Sequence, residues 1–146
     1  MRVAWKNRQR SVRLNTGWLR SATGLALERC AAHCGDGRFA LRGFEEVCVA
    51  IVSDAAIGRL HFKFMAITGP TDVLTFHHGD VVISADTAAA EAKQRGHAVE
   101  IEIALYTVHG FLHLNGFDDR TPPEAARMRR VQANILRWCR LQLSPP

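Results

Sequence analysis

The apolar residues of this chain come in two rhythms, short β-branched runs and longer stretches with helical spacing. VAWKN, residues 3–7, reads as a first strand, and EVCVAIVS, 46–53, as a central one, because Val and Ile pack well on a pleated surface. TDVLTFHHGDVVIS, 71–84, reads as two strands joined by a turn near His78 and Gly79. Between these runs the spacing turns helical. Ser11 is placed to cap a long amphipathic helix carrying Leu14, Trp18, Leu25 and Leu27 and ending near HCGDG, 33–37. Asp54 is placed to cap a second, with Ile57, Leu60, Phe64 and Met65, that ends before TGP, 68–70. TAAAEAKQRG, 87–96, reads as a third, with Gly96 just past its end, and residues 99–115 form a strongly apolar fourth. A fifth opens at Thr121 as cap, with Pro122 at the first helical position. Strands and helices mix without strict β-α-β alternation. The pattern therefore predicts an α+β fold, one domain over residues 1–146, with a small mixed sheet packed by about five helices.

The composition, 47% hydrophobic and 23% charged, fits a globular domain with a real core. No apolar run approaches the roughly 18 residues of a membrane span, and the N-terminus lacks the apolar stretch of a secretory signal. A soluble, cytoplasmic protein with no membrane partner is expected. The basic first 20 residues faintly resemble an organellar targeting peptide but are read as mature structure. Cys30, Cys34, Cys48 and Cys139 form no CxxC and are expected as reduced, mostly buried thiols. Cys30 and Cys34 with His33 make a second candidate metal group, at a spacing structural zinc sites do not use.

Charge is distributed unevenly. Residues 1–20 contribute +6 and residues 120–146 contribute +5, so the middle of this +5 chain sums to −6. Two basic ends around an acidic middle make a phosphate-binding surface if the ends fold side by side, and an Arg-rich surface leans towards nucleic acid.

The apolar fourth helix carries the chemistry. His109 and His113 stand four residues apart, and positions i and i+4 share a helical face with Cβ atoms about 6 Å apart, close enough for one transition metal. Gly116 can take the left-handed conformation that ends a helix and turns the chain back. A carboxylate from Asp118 or Asp119 would then complete a three-ligand set, the arrangement of catalytic rather than structural zinc. Gly110 stands where HExxH has its glutamate, so the usual metalloprotease base is missing.

HGFLHLNGFDD, 109–119, resembles the signature of the YbeY family, metal-dependent endoribonucleases of ribosomal RNA maturation. That signature runs H-G-x-L-H-L-x-G-[YF]-D-H, and ten of its eleven positions are compatible here. PTDVLTF, 70–76, is similar to the family's P-T-D-V-L-S-F, and GDVVIS, 79–84, to its G-D-[IV]-x-I-[SC]. WKNRQR, 5–10, looks like the family's first strand and its exit, so the resemblance covers nearly the whole chain. It implies one zinc ion, or another divalent transition metal, on His109, His113 and Asp119, the last standing where the family has a third histidine. Asp118, the family's own aspartate, is implied as an outer-sphere or turn group, with a one-residue loop shift making it the alternative ligand. A carboxylate ligand leaves the site at +1 instead of +2, a weaker Lewis acid.

The family helix before P-T-D-V-L-S-F carries an arginine at the position of Met65, which can neither bind phosphate nor stabilise negative charge. Lys63 or Arg59 on the same helix would have to substitute in part. Glu102, which falls where many members have an acid, and Asp72 are the candidate bases, each equally placed to orient the metal ligands or cap a helix, and Lys63 is a further catalytic candidate. Arg8, Arg10, Arg59 and Lys63 are the candidate RNA contacts, and His77 and His78 the turn histidines able to reach a cleft. The expected function is metal-dependent cleavage of single-stranded RNA in ribosomal RNA maturation and ribosome quality control. Ribosomal RNA, ribosomal proteins and the small subunit are the implied partners. The alternative is a metal-stabilised, ribosome-associated RNA-binding or assembly protein with little nuclease activity. A small-molecule metallohydrolase is the third reading, for which basic ends would serve no purpose.

Overall fold

A computed structural model of the chain describes residues 1–33 and 40–146. Cys34, and with it the second candidate metal group, lies outside the described residues, as does most of HCGDG. The elements run β1 (Arg2–Asn7), α1 (Thr16–Ala31), β2 (Glu46–Val52), α2 (Asp54–Met65), β3 (Val73–Phe76), β4 (Asp80–Ser84), α3 (Ala85–Arg95), α4 (Val99–Leu114) and α5 (Pro122–Leu141). A one-turn 3-10 helix, Leu41–Gly43, precedes β2. The four strands form one sheet in the order β1-β2-β4-β3, with β1, β2 and β4 parallel and β3 antiparallel to β4. A mixed sheet with five α-helices is the expected α+β class, and EVCVAIVS is an interior strand as its β-branched run implied.

Two caps differ from expectation. Asn15, not Ser11, caps α1 by accepting from the Trp18 N–H at 3.0 Å. Residues 8–13 are held instead by Gln9, whose side chain accepts from the Val12 N–H and donates to the Val12 carbonyl. Ser53, not Asp54, caps α2. The Asp54 carboxylate turns away and accepts from the Ser84 and Thr87 hydroxyls at 2.5 and 2.7 Å, tying α2 to the start of α3. Thr121 caps α5 with Pro122 in its first turn, and Gly96 ends α3 with φ 71°, both as the sequence indicated.

Period-two alternation divides the sheet between two cores. Val47, Val49 and Ile51 of β2 and Val81 and Ile83 of β4 point into the larger one, with Leu19, Leu27, Ile103, Val108, Phe111 and Leu112 from the helices. Val52, Leu74 and Val82 point the other way, against Ile57 of α2. α4 is therefore covered on nearly every side, by α1, α3 and α5 and by β3 and β4, which is why its sequence is apolar almost all round. Gly110 sets how closely α4 approaches the sheet. A Cβ there would lie 2.6 and 2.9 Å from the two methyls of Val81 and 3.3 Å from the Thr75 hydroxyl, so only glycine allows this approach. The neighbouring His109 is thereby held beside β3.

Candidate metal centre

α4 ends in a paired turn. Gly116 has φ 88°, its N–H donates to the His113 carbonyl at 3.1 Å, and the Phe117 N–H donates to the Leu112 carbonyl at 2.9 Å. This pair of bonds is the Schellman arrangement, which consumes the last free carbonyls of the helix and reverses the chain. Phe117 is buried by the turn, and the residues after it come back over the histidine face.

Both imidazoles are oriented through Nδ1. His113 Nδ1 lies 3.1 Å from the Phe117 carbonyl, and His109 Nδ1 lies 2.9 Å from Oε1 of Gln132, on α5. A carbonyl oxygen only accepts, so in each ring the proton sits on Nδ1 and the lone pair on Nε2. The two Nε2 atoms are 3.0 Å apart, and Oδ2 of Asp119 is 3.7 Å from each. Three acceptor atoms thus converge with no hydrogen between them, a repulsive arrangement unless a cation sits among them. A triangle of sides 3.0, 3.7 and 3.7 Å has its centre roughly 2 Å from every corner, the length of a Zn–N or Zn–O bond. The donors fit one ion with borderline or hard character such as zinc, manganese or iron. Burial, and next the nearby His109, hold the His113 pKa below the ordinary imidazole value, against the opposing pull of Asp119. The neutral ring that a metal needs is the favoured form.

The remaining candidates fall in different places. Asp118 sits beside the cluster without entering it. Its Oδ1 accepts from the Asp119 N–H at 2.8 Å and its Oδ2 pairs with Arg120 at 3.3 Å, so it shapes the turn that aims Asp119. Glu102 is not brought to the cleft. It is fully buried two helical turns before His109, bound by His97 Nε2 at 2.6 Å and Arg95 Nη1 at 3.1 Å. A carboxylate so enclosed fastens α3 to α4 and has no path to a substrate proton. Arg8 and Arg10 follow β1, which pairs only with β2 and so forms the edge of the sheet opposite β3. Arg59 and Lys63 are exposed on α2, and the Lys63 ammonium lies over the Phe64 ring at 5.4 Å. None of these four candidate RNA contacts is among the residues that line the cavity over the cluster.

A cavity of about 670 Å³ opens over the three ligand atoms, its lining including Met65, Val73, Thr75, His77, Arg120 and Arg127. His77 thus reaches the cleft, whereas His78 is exposed and paired with Asp80 at 2.9 Å. A second cavity of about 640 Å³ shares Val73 and His109 with the first and is lined also by Asp72, Tyr106 and Arg129. Gln132 and Arg127 escape sequence reasoning. Gln132 lies 23 residues from His109, and nothing in a neutral amide on a polar helix face marks it as a partner. Arg127 is one of six arginines in the last 27 residues, and only its place on α5, with its guanidinium 4.9 Å over the Phe117 ring, separates it from the others.

Comparison with known proteins follows the same outline. Residues 5–140 match the family model described as Endoribonuclease YbeY. Proteins of that name from Nocardia farcinica and Frankia casuarinae are 34% and 35% identical over 119 and 111 residues, 68% and 62% of this chain. These matches span 65% and 55% of the relatives, so the chain corresponds to about three fifths of their length. A Roseiflexus protein of the same name is 35% identical over 130 residues, covering 77% of this chain and 81% of the relative. The solution structure of TM1509 from Thermotoga maritima superposes with a TM-score of 0.62 over 94% of this chain and 88% of that one, at 20% identity, a likeness of fold. The family match over residues 5–140 completes what the signature and the fold began: this chain belongs to the YbeY family.

Proposed function

We propose that this protein is a metal-dependent endoribonuclease that cleaves single-stranded RNA, with ribosomal RNA precursors or damaged ribosomes as the source of substrate. The observation that carries the reading is the convergence of His109 Nε2, His113 Nε2 and Asp119 Oδ2 on one point at the floor of an open cleft. A divalent ion held there supplies Lewis acidity towards a phosphoryl oxygen or a water. Gln132 and the Phe117 carbonyl hold the two rings in the tautomer that leaves Nε2 unprotonated. The Asp119 carboxylate lowers the net charge of the loaded site to +1, which moderates its pull on an anionic substrate. Single-stranded RNA suits a cleft between β3 and α5 better than a duplex, because an unpaired backbone can bend past the ligand residues. The relatives named Endoribonuclease YbeY support the same activity, and residues 1–146 act as one domain in this reading.

Zinc is the proposed ion, with manganese or iron as chemically sound substitutes on a two-imidazole, one-carboxylate set. No helix among the described residues is long and apolar enough to cross a membrane, in keeping with action in the cytoplasm alongside the small ribosomal subunit and its proteins. The test is cleavage of ribosomal RNA fragments by metal-loaded wild type and His113→Ala, with elemental analysis of both. Loss of bound metal and of cleavage together is expected. Undiminished cleavage by a metal-free variant would overturn the mechanism.

A second reading rests on Met65. This exposed apolar side chain lines the cleft, where it contributes neither charge nor hydrogen bond to a phosphate. An RNA-binding or assembly protein with weak turnover fits that feature, and predicts RNA affinity that survives the loss of cleavage.

A further inference from the structure

Of the six large apolar side chains that the described residues leave exposed, four lie between Phe62 and Ile67, at the end of α2 and just beyond it. Phe62, Phe64, Met65 and Ile67 are each between 49% and 62% exposed, a concentration that marks a contact surface and not the usual scatter of single apolar residues. The segment is held in place. Ala66 ends the helix with φ 55°, its N–H donating to the Phe62 carbonyl at 2.9 Å, and His61 Nδ1 donates to the Gly69 carbonyl at 3.0 Å.

Two of these side chains lie beside β3. Met65 lines the cavity over the three ligand atoms together with Val73, Leu74 and Thr75. Phe64 packs at 74° against Phe76, with ring centroids 5.2 Å apart, and Phe76 stacks on His78 at 5.7 Å. Phe76 is packed in turn against the smaller core, so the row Phe64-Phe76-His78 stands on a fixed base. The row borders the cleft. Met65, next to Phe64 in the chain, and His77, between Phe76 and His78, both line the cavity. Charge at the α2 end of the row has one sign. Residues 55–71 contain no Asp or Glu, Arg59 and Lys63 supply +2, and the Lys63 ammonium lies over the Phe64 ring at 5.4 Å. At the other end, Asp80 is taken up by His78 at 2.9 Å.

An exposed ring with a cation over it suits a polyanion that carries flat apolar groups, which is the chemistry of an unpaired nucleic-acid strand. We infer that Phe64 stacks an unpaired base of the RNA strand bound in the cleft, with Met65 against the same nucleoside and Lys63 on the adjoining phosphate. The inference rests on the ribonuclease reading above and adds the side on which the strand leaves the cleft. It also gives Met65 a use, since an apolar side chain that cannot hold a phosphate can still touch a base. Positions two apart on a helix do not share a face, so Phe62 is outside the row and serves as the control.

The experiment measures the affinity of the metal-loaded protein for a short single-stranded RNA over a range of salt, and steady-state cleavage. The proteins are wild type, Phe64→Leu, Phe64→Trp, Phe62→Leu and Lys63→Gln. One base stacked on an aromatic ring is worth roughly 5–150-fold in affinity, and leucine keeps part of the apolar contact, so Phe64→Leu is expected to weaken binding and raise KM about tenfold. Its slope of log K against log salt stays that of wild type, since no charge is lost, whereas Lys63→Gln lowers the slope by about 0.7. Phe64→Trp, with a larger stacking surface, binds at least as tightly as wild type, and Phe62→Leu keeps wild-type affinity. An RNA of the same length with abasic positions binds wild type and Phe64→Leu alike, a result that mere loss of packing on Phe76 would not produce. Metal content and the thermal midpoint show that each variant is loaded and folded. Wild-type affinity in Phe64→Leu, an equal loss in Phe62→Leu, or a difference that persists on abasic RNA would each remove the stacking role and leave the ribonuclease reading intact. So would phosphatidylglycerol vesicles or a second copy of the chain binding wild type and not Phe64→Leu, with RNA affinity the same in both. A wild type that neither binds nor cleaves RNA would remove the underlying reading itself.

Discussion

The hydrogen bond from His109 Nδ1 to Gln132 Oε1, 2.9 Å long, makes a demand on the proposed metal site that can be measured. Gln132→Met keeps the length of the side chain and removes the acceptor. The Nδ1 proton of His109 then has no partner, and the ring gains access to the other tautomer. In that form an Nε2 proton points at His113 Nε2, 3.0 Å away, and makes a hydrogen bond that an incoming ion must break. Loss of such an outer-sphere partner weakens metal binding by about 10–100-fold, or roughly 1.4–2.8 kcal/mol. Gln132 is only half-buried, so water can replace part of the lost bond, and a change of about tenfold is expected. The assay is competition for zinc against a chromophoric chelator at neutral pH, with the urea midpoint as a check that α5 still docks. Gln132→Glu is expected to shift affinity the other way, because a carboxylate raises the basicity of the ring and adds negative charge near the ion. A folded Gln132→Met protein with wild-type zinc affinity would show that the tautomer argument is mistaken.

Asp119→Ala is expected to lower zinc affinity roughly 100-fold or more, beyond the loss of an outer-sphere group, whereas Asp118→Ala loses less because its carboxylate only aims the turn; equal losses in the same chelator competition would count against Asp119 as the ligand. Gly110→Ala places a methyl 2.6 Å from Val81 and is expected to destabilise by about 1–3 kcal/mol through overpacking, despite the gain in helix propensity. The same change in a Val81→Ala background is expected to stabilise, since the methyl then fills space that the valine has left; a urea double-mutant cycle with one sign throughout would refute the close-packing account. Burial pushes the Cys139 thiol from 9.0 up to about 11 and raises Cys30 as well. Their protonated form therefore stabilises the fold fully below pH 9, and stability falls as pH climbs from there towards 11, where the unfolded chain releases those protons first. Urea midpoints across that window should decline less steeply in Cys139→Ala; an identical decline would show that the thiol plays no part.

The local parts of the site were legible in the sequence because they depend on local geometry. His109 and His113 share a face by helical periodicity alone, Gly116 ends the helix because only glycine readily takes φ 88°, and Asp119 follows within reach of both rings. The β-branched runs EVCVAIVS and DVVIS likewise marked strands, whereas the division of their side chains between two cores emerged only from the packing. Helix caps were less legible, since Ser11, Ser53, Asp54 and Asn15 are all competent acceptors and the surrounding contacts choose among them.

Contacts between distant segments were decided by tertiary structure. The pairing of β1 with β2 carried Arg8 and Arg10 to the far edge of the sheet, and the docking of α3 on α4 enclosed Glu102 between Arg95 and His97. The packing of α5 across α4 brought Gln132 to His109 and set Arg127 over Phe117. Periodicity specifies which face a residue occupies, because it is a property of one helix or strand. Which residue meets that face depends on how the elements pack, and burial of the whole apolar surface sets that packing.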